Sequence, residues 1–347
     1  MPRGDLPDVS VRVNNSALPA AAQADLRSVT VEEDLSALSM FTLELSNWDD
    51  VRLEFSWSDS PLFSVGNEVE IWLGHTGDLA KVMLAEITSL EPVFGTGQAP
   101  LLMVRGYDHR HRLARGRKTR TFVQMKDSAI ASQIAREAGL RAQVEDTKVT
   151  LGYVIQSNQS DWEFLRRRAG LIGYEIYVRE KVLYFRWPRN STPPVDKLSL
   201  GADITGFNPR LSTLTQVSDM TVRGWNVKEK KAVAATARAA PSGGQGSGTV
   251  VARRAFGPAS ESILGQPVRS LPEADPIAQG QFNDMALAYV QGEVVAGGRP
   301  RLRAGTVVDI SGAGRTFSGP YYVTSVTHTV TTEHGYQTSF TVQRNLT

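Results

Sequence analysis

A repeated pattern of short strands near the two ends of the chain is the feature that most constrains its fold. Three pairs of segments align in the same order: residues 65–71 with 304–310, residues 87–90 with 323–326, and residues 101–104 with 339–342. In the first pair, a glycine turn leads into an apolar strand. Any two meanders share alternation and glycine turns, but the kept order and the nearly kept spacing favour a duplicated small barrel.

The chain has 347 residues, more than one core usually organises, so we expect several units. We predict a first β-barrel domain over residues 1–120, an α+β module over 121–200 and a second β-barrel domain over 201–347. The second barrel domain includes a helix near residues 275–290. It also includes the stretch 232–248, in which ten of seventeen residues are Ala or Gly, a composition typical of a mobile linker.

The predicted α+β module has one helix with a clear beginning. Ser160 and Glu163 have the spacing of a capping box, and Trp162, Leu165 and Ala169 lie on one face of the helix that follows. The fold class is therefore mainly β with an α+β insertion. It consists of two related small β-barrels per chain and one helix-containing module.

Charge is unevenly distributed, although the net charge is only +2. Residues 31–60 contain eight acidic residues and one basic residue, whereas residues 105–120 contain seven basic residues and one acidic residue. Such segments can hold the chain together or join neighbouring copies. The basic run is predicted to be a protein interface or a solvated face, because a nucleic-acid-binding run usually accompanies a basic domain.

The sequence has no convincing catalytic, cofactor or metal motif. Cysteine is absent, and there is no P-loop, no Gly-x-Ser-x-Gly elbow and no zinc-protease helix. His109 and His111 would share a face if that segment were a strand, but the surrounding arginines oppose a divalent cation. We therefore expect no enzyme activity, no cofactor and no metal, and we read paired acids such as Asp49 and Asp50 as surface residues.

Membrane attachment and secretion are also not indicated. No apolar stretch approaches the length that spans a bilayer, and the first residues lead into no apolar segment of the kind found in signal peptides. We expect a protein without a membrane anchor that assembles in the cytoplasm of the producing cell.

Several segments resemble motifs of baseplate hub proteins, namely the late control protein D family of contractile-tailed phages and the hub portion of VgrG spike proteins. Residues 157–167 (SNQSDWEFLRR) resemble their N-x-S-D-W-x-F-L-x-R helix, and residues 105–113 (RGYDHRHRL) resemble a G-Y-D-x-x-H-x-L strand end. Residues 298–305 (GRPRLRAG) resemble the G-x-P-x-L-x-x-G approach to the second barrel. Its closing strands resemble residues 317–328 and 335–340.

The resemblance implies a homotrimer in which two barrels per chain form a pseudo-sixfold ring. Such a structural hub would adapt a sixfold inner tube to a threefold spike in the tail or baseplate of a phage or phage-like particle. Its partners would be the inner tube protein, other baseplate proteins and a spike expected on a separate polypeptide, because the sequence ends after the second barrel. Phage, bacteriocin and cellular injection system remain open alternatives.

Within that picture, five arginines are interface candidates that we expect to face a neighbouring subunit, the tube or the channel: Arg110, Arg112, Arg115, Arg117 and Arg120. The alternative is that they are ordinary solvated charges. Two rival functions are a tail-associated cell-wall hydrolase, which needs acids or histidines gathered in one cleft, and a nucleic-acid-binding protein, which needs the basic run to face a groove.

Overall fold

The first barrel is built from alternating strands. The computed structural model describes residues 6–97, 99–238, 247–265 and 267–347. The elements of the first barrel are β1 (Pro7–Val13), β2 (Ser16–Ala17), α1 (Ala20–Asp25), β3 (Leu26–Asp34), β4 (Met40–Ser46), a 3₁₀ turn (Pro61–Phe63), β5 (Glu68–His75), β6 (Asp78–Val93) and β7 (Leu101–Tyr107). In β4, Phe41, Leu43 and Leu45 are fully buried while the residues between them are half-buried, which is the period-two pattern of a strand with one face on a core.

The helix-containing module follows the first barrel directly. It comprises α2 (Arg110–Ala114), β8 (Lys118–Met125), α3 (Asp127–Glu137), β9 (Arg141–Val144), β10 (Leu151–Gln159), α4 (Asp161–Leu171), β11 (Glu175–Arg179) and β12 (Val182–Arg186). At the start of α4, the Ser160 hydroxyl accepts the Glu163 N–H, and the Glu163 carboxylate accepts the Ser160 N–H. The predicted capping box and the buried face of this helix are confirmed.

The second barrel lies in the last third of the chain. Its elements are β13 (Asp196–Ser199), β14 (Ile204–Leu211), β18 (Val290–Gly297), β19 (Val307–Ser311), α7 (Gly314–Phe317), β20 (Gly319–Thr331) and β21 (Gly335–Arg344). Strands β19, β20, β21, β18 and β14 are neighbours in that order, and β13 runs parallel to β19. The two related barrels and the helix-containing module agree with the predicted fold class.

The part of the chain between β14 and β18 forms a separate layer of strands and helices, although its Ala- and Gly-rich composition suggests a linker. It contains β15 (Asp219–Asn226), β16 (Lys231–Ala237), α5 (Gly248–Phe256), β17 (Ser260–Ile263) and α6 (Leu271–Leu287). The linker prediction for 232–248 is wrong over residues 232–237, because these residues pair with β15 and bury Val233, Ala235 and Ala237. Residues 239–246 of that stretch lie outside the described residues. The predicted helix near 275–290 exists, but it ends at Leu287 because Val290 begins β18.

This layer shares its hydrophobic core with the helix-containing module. Val222 of β15 and Phe282 of α6 share one hydrophobic core with Phe164 and Leu165 of α4. Gly280 allows α6 to approach the end of α4, since a Cβ at this position would lie 2.3 Å from the Ile172 carbonyl carbon. The second barrel keeps a core of its own, which includes Val294.

The duplication is visible in the hydrogen bonds of the first strand of each repeat. The Gly66 N–H donates to the Ile87 carbonyl at 2.8 Å, and the Gly305 N–H donates to the Val323 carbonyl at 2.8 Å. Both glycines have a positive φ, 93° and 82°, which glycine adopts without strain. Strand β5 therefore corresponds to β19, and β6 corresponds to β20.

The register irregularities repeat as well. The pairing of β6 with β7 shifts between Ile87 and Ser89, and the pairing of β20 with β21 shifts between Val323 and Ser325, the equivalent positions. β-bulges are specific backbone features, so their recurrence supports a true duplication. The predicted alignment of residues 101–104 with 339–342 is wrong by two positions. Leu90 faces Val104 while its equivalent Val326 faces Phe340.

The two barrels are joined edge to edge within the chain. Strand β3 of the first barrel pairs antiparallel with β20 of the second, from Ser28 opposite Thr331 to Asp34 opposite Ser325. This pairing makes one continuous sheet of thirteen strands from both barrels. Within the described ranges, no helix has the length and apolar character needed to cross a membrane.

Candidate assembly interface

The basic run at residues 105–120 begins with an arginine that the chain itself buries. Arg110 is 1% exposed. Its Nε donates to Asp108 at 2.7 Å, its Nη1 donates to the Asp34 carbonyl at 3.0 Å, and its Nη2 donates to Ser39. The guanidinium also lies over the Trp162 ring. Arg110 therefore fixes the first barrel to the helix-containing module and presents no guanidinium to a neighbouring molecule.

The next part of the run surrounds one carboxylate. Glu86 of β6 accepts from Arg112 Nε at 2.7 Å and contacts His111 Nε2 at 2.7 Å. Burial alone would raise the pKa of Glu86. The hydrogen bonds from Arg112 and His111 outweigh this effect and lower the pKa to about 2. His109 and His111 do not lie on a strand, because the backbone turns into α2 after Tyr107. In the described part of the chain, no three acids and histidines come together as a metal site.

The end of the run ties β8 to α4. Arg117 Nη2 donates to Glu163 at 3.0 Å, and Arg120 Nη2 donates to Asp161 at 2.8 Å. Arg115 is exposed, and no hydrogen bond or ion pair joins its side chain to another described residue. Of the five candidates, Arg112, Arg115 and Arg117 thus remain accessible, and only Arg115 lacks an in-chain use within the described ranges.

Among the described residues, no ion pair joins the acidic side chains of the stretch 31–60 to the basic run. The most buried acid of that stretch, Glu33, accepts from Arg303 Nε at 2.7 Å, and Arg303 also donates to the carbonyls of Lys81 and Val82 at 3.0 and 2.9 Å. Burial alone would raise the pKa of Glu33. The positive charges of Arg303 and Arg179 outweigh this effect and lower the pKa to about 2. We call Glu33 and Arg303 the inter-barrel clamp, because Glu33 lies on β3 and Arg303 on the segment before β19.

A cavity of about 340 Å³ lies where the helix-containing module meets the second barrel. Glu175, Asp284 and Tyr322 are among its lining residues, and the Tyr322 hydroxyl donates to Glu175. Burial raises the pKa of Glu175 to about 7 and that of Asp284 to about 6. No pattern in the sequence indicates this pair, because the two acids are more than a hundred residues apart and only the fold brings them to one cavity.

Two of the strand edges that are open in the described structure belong to the barrels at equivalent places. Strand β14 pairs with β18 on one side only. Residues Ser89–Val93 of β6 pair with β7 but extend beyond β5, whose pairing with β6 ends at Glu86. An open edge presents unpaired N–H and C=O groups to any strand that can pair with them. The repeat in the sequence could have indicated these edges, because each is the counterpart of a strand that is paired at the junction of the two barrels.

Solved structures with this fold include tail proteins. The 43 kDa tail protein of prophage MuSo2 from Shewanella oneidensis matches with a TM-score of 0.72 and 14% identity over 98% of both chains. A tail protein from Neisseria meningitidis matches with a TM-score of 0.70 and 15% identity over 98% of this chain and 97% of that one. At these identities the similarity establishes a shared fold.

A third match comes from a secretion system. The E. coli c3393 protein, described as a component of the type VI secretion system with structural similarity to bacteriophage T4 tail proteins, has a TM-score of 0.63 and 13% identity. The match covers 96% of this chain and 76% of that one. The fold is therefore one found in tail proteins and in a component of the type VI secretion system.

Sequence comparison gives one family. No curated protein matches the chain. The profile of the family described as Alg8 N-terminal domain matches residues 3–332. That range includes the first barrel, the complete helix-containing module and the second barrel as far as the end of β20, and it leaves out β21. The chain therefore belongs to the family of the Alg8 N-terminal domain.

Proposed function

We propose that the protein is a structural baseplate hub of a contractile tail or related injection particle, and that it works as a homotrimer. The observation that carries the proposal is the in-chain junction of β3 with β20, which joins two barrels of equivalent backbone edge to edge. Three such chains supply six barrels, the number that a ring against a sixfold tube requires. The shared fold with phage tail proteins supports the same role.

The partners in this proposal are the inner tube protein, a spike on a separate polypeptide and other baseplate proteins. The particle is the tail or baseplate of a phage or phage-like assembly, put together in the cytoplasm of the producing cell. A structural hub needs neither a cofactor nor a catalytic residue. The ion pairs described above serve this role, because they join the first barrel to the module, β8 to α4 within the module, and one barrel to the other.

The oligomeric state of the purified full chain tests the proposal. Mass photometry at micromolar concentration should give three times the chain mass, and electron microscopy should show a ring with a central channel and six similar lobes. A monomer at these concentrations, together with the absence of the protein from purified tail particles, contradicts the proposal.

One observation favours a second candidate, the cell-wall hydrolase. Glu175 and Asp284 share a cavity and have raised pKa values, as acids that exchange protons often do. Incubating the purified chain with peptidoglycan separates the two functions. The hub predicts no release of soluble fragments, whereas release that disappears in Glu175→Gln establishes the hydrolase.

A further inference from the structure

The junction between the two barrels of one chain has a counterpart that the chain leaves unused. Strand β3 corresponds to β14, because Leu26 of β3 pairs with Leu45 before a register shift and Ile204 of β14 pairs with Ala296 before an equivalent shift. Strand β6 corresponds to β20 through the bulge after Ile87. Within the chain β3 pairs with β20, while the outer edge of β14 and that of Ser89–Val93 have no strand beside them in the described structure.

We propose that β14 of one copy pairs antiparallel with residues Ser89–Val93 of β6 in the next copy, which repeats the β3–β20 junction between chains. The partner of this surface is a second copy of the same chain. The inference rests on the proposed trimeric hub, and it adds the strands and the register that join its subunits. The pairing is head to tail, which closes into a ring when the rotation per subunit allows it.

The in-chain junction fixes the register of the proposed seam. Within the chain, Val326 lies opposite Glu33. Leu90 corresponds to Val326 and Leu211 to Glu33, so the proposed seam places Leu90 opposite Leu211. In the same way, the observed pair of Thr327 and Glu32 has its counterpart in Glu91 opposite Arg210. Thr329 opposite Thr30 becomes Val93 opposite Asn208.

Side chains on the inner face of this seam are apolar in both partners. Leu90 packs at the margin of the first core, and Leu211 and Phe207 pack at the margin of the second. Phe94, one residue beyond β6, is 60% exposed in the single chain and falls opposite Phe207. Pairing the two edges would cover these exposed and half-buried apolar residues, and apolar cross-strand pairs stabilise antiparallel sheets.

Side chains on the outer face are complementary in charge. Glu91 is half-buried beside Arg105, at 3.4 Å, and Arg210 is exposed. In the proposed register the Glu91 carboxylate lies directly opposite the Arg210 guanidinium. Opposite charges directly across two strands favour pairing, and the same charges penalise a shift by two residues, which would place Glu91 opposite Asn208.

Two prolines limit the strength of the seam. Pro92 falls opposite Pro209, and neither has an N–H group to donate across the strands. Proline belongs at such open edges, where it leaves the ladder inside the chain intact and discourages pairing with unrelated strands. The seam between chains should therefore separate before the junction of β3 with β20.

Disulfide trapping tests the register, because the chain contains no cysteine. Residues directly opposite on antiparallel strands have Cα atoms about 4.5–5.5 Å apart, within the reach of a disulfide. The variant Val93→Cys with Asn208→Cys should form a covalent trimer after mild oxidation, seen on a non-reducing gel. The control Val93→Cys with Arg210→Cys places the thiols two residues apart and should remain unlinked.

A second control uses the junction inside the chain. Thr30→Cys with Thr329→Cys should form its disulfide within one chain, leaving the gel position of the monomer and confirming that oxidation works on this sheet. Mass photometry of the unlinked protein is measured alongside. The charge pair gives an independent readout: Glu91→Arg should lose the trimer at low salt, and adding Arg210→Glu should recover it.

The outcomes separate the seam from the trimer. A trimer by mass photometry without a disulfide at Val93 and Asn208, or with one only in the shifted control, overturns the seam and leaves the hub intact. A covalent ladder of dimers, tetramers and larger species supports the seam and contradicts a ring of three. A monomer without any disulfide between chains overturns both.

Discussion

The inter-barrel clamp offers the most direct test of how the two barrels are held together. The perturbation is Arg303→Met, which keeps an unbranched apolar stem and removes the guanidinium. Arg303 donates to Glu33 through Nε and Nη2 and to the carbonyls of Lys81 and Val82, so one side chain connects the second barrel to two strands of the first. After the change, Glu33 stays buried with the more distant Arg179 at 3.7 Å.

The expected cost follows from the burial of the pair. Removing one partner of a buried ion pair costs about 3–5 kcal/mol, because the other charge stays in a low-dielectric site. We therefore expect Arg303→Met to lower the free energy of unfolding by about 3–5 kcal/mol. Combining it with Glu33→Leu should recover most of the loss, because no unpaired charge then remains.

Urea unfolding monitored by tryptophan fluorescence and circular dichroism measures these differences. The matched control is Arg301→Met, two residues away, whose side chain is 76% exposed and pairs with the exposed Asp78. A surface pair of this kind contributes about 0–1 kcal/mol. If Arg303→Met costs no more than Arg301→Met, or if the double variant is less stable than the single one, the clamp does not work as described.

The clamp also has a pH signature. The pKa of Glu33 is lowered from its ordinary value near 4.5 to about 2 in the folded chain. The stability it contributes is therefore fully present above pH 4.5 and is lost as the pH falls through 2. The variant Glu33→Leu with Arg303→Met should lose less stability than the natural sequence over that interval.

Three further changes test other parts of the molecule. Because the pKa of Glu175 is raised to about 7, its neutral form stabilises the fold below pH 4.5 and this contribution disappears as the pH rises to 7, so Glu175→Gln should flatten thermal stability between pH 5 and 7. Arg115→Glu should keep the circular dichroism spectrum and reduce particle assembly at low salt, whereas Arg254→Glu on α5 should change neither. Gly280→Ala should cost about 1–3 kcal/mol in urea unfolding, because its Cβ would meet the Ile172 backbone at 2.3 Å, and an unchanged midpoint contradicts this packing.

Local patterns in the sequence predicted the parts of the fold that local physics determines. The capping box at Ser160 and Glu163 needs only four residues, and the turn at Gly66 needs only the freedom of glycine. Alternation identified the strands of both barrels. The Ala- and Gly-rich stretch misled because alanines can alternate in a strand as well as fill a linker, and only burial against β15 decides between them.

Long-range placement was beyond the sequence. Charge counting grouped Arg110 with its neighbours as interface candidates, but the turn after Tyr107 points it inward to Asp108 and Trp162. The Glu33–Arg303 pair joins positions 270 residues apart, so no local sequence pattern near either residue predicts its partner. The repeat in the sequence indicated two equivalent barrels, but the register of the structure was needed to assign which strand edge of one barrel corresponds to which edge of the other.

The recurrence of the same bulges under different side chains has a consequence for how this molecule can change. In a ring of six identical chains, every substitution appears six times, and all six contacts improve or fail together. Here the two barrels have the same backbone arrangement but different side chains, with Glu33 in one barrel at the position that Leu211 occupies in the other. Each half is therefore free to adapt to its own neighbour. A partner with a lower symmetry can then be accommodated by mutations in one barrel, without disturbing the contacts that the other barrel makes.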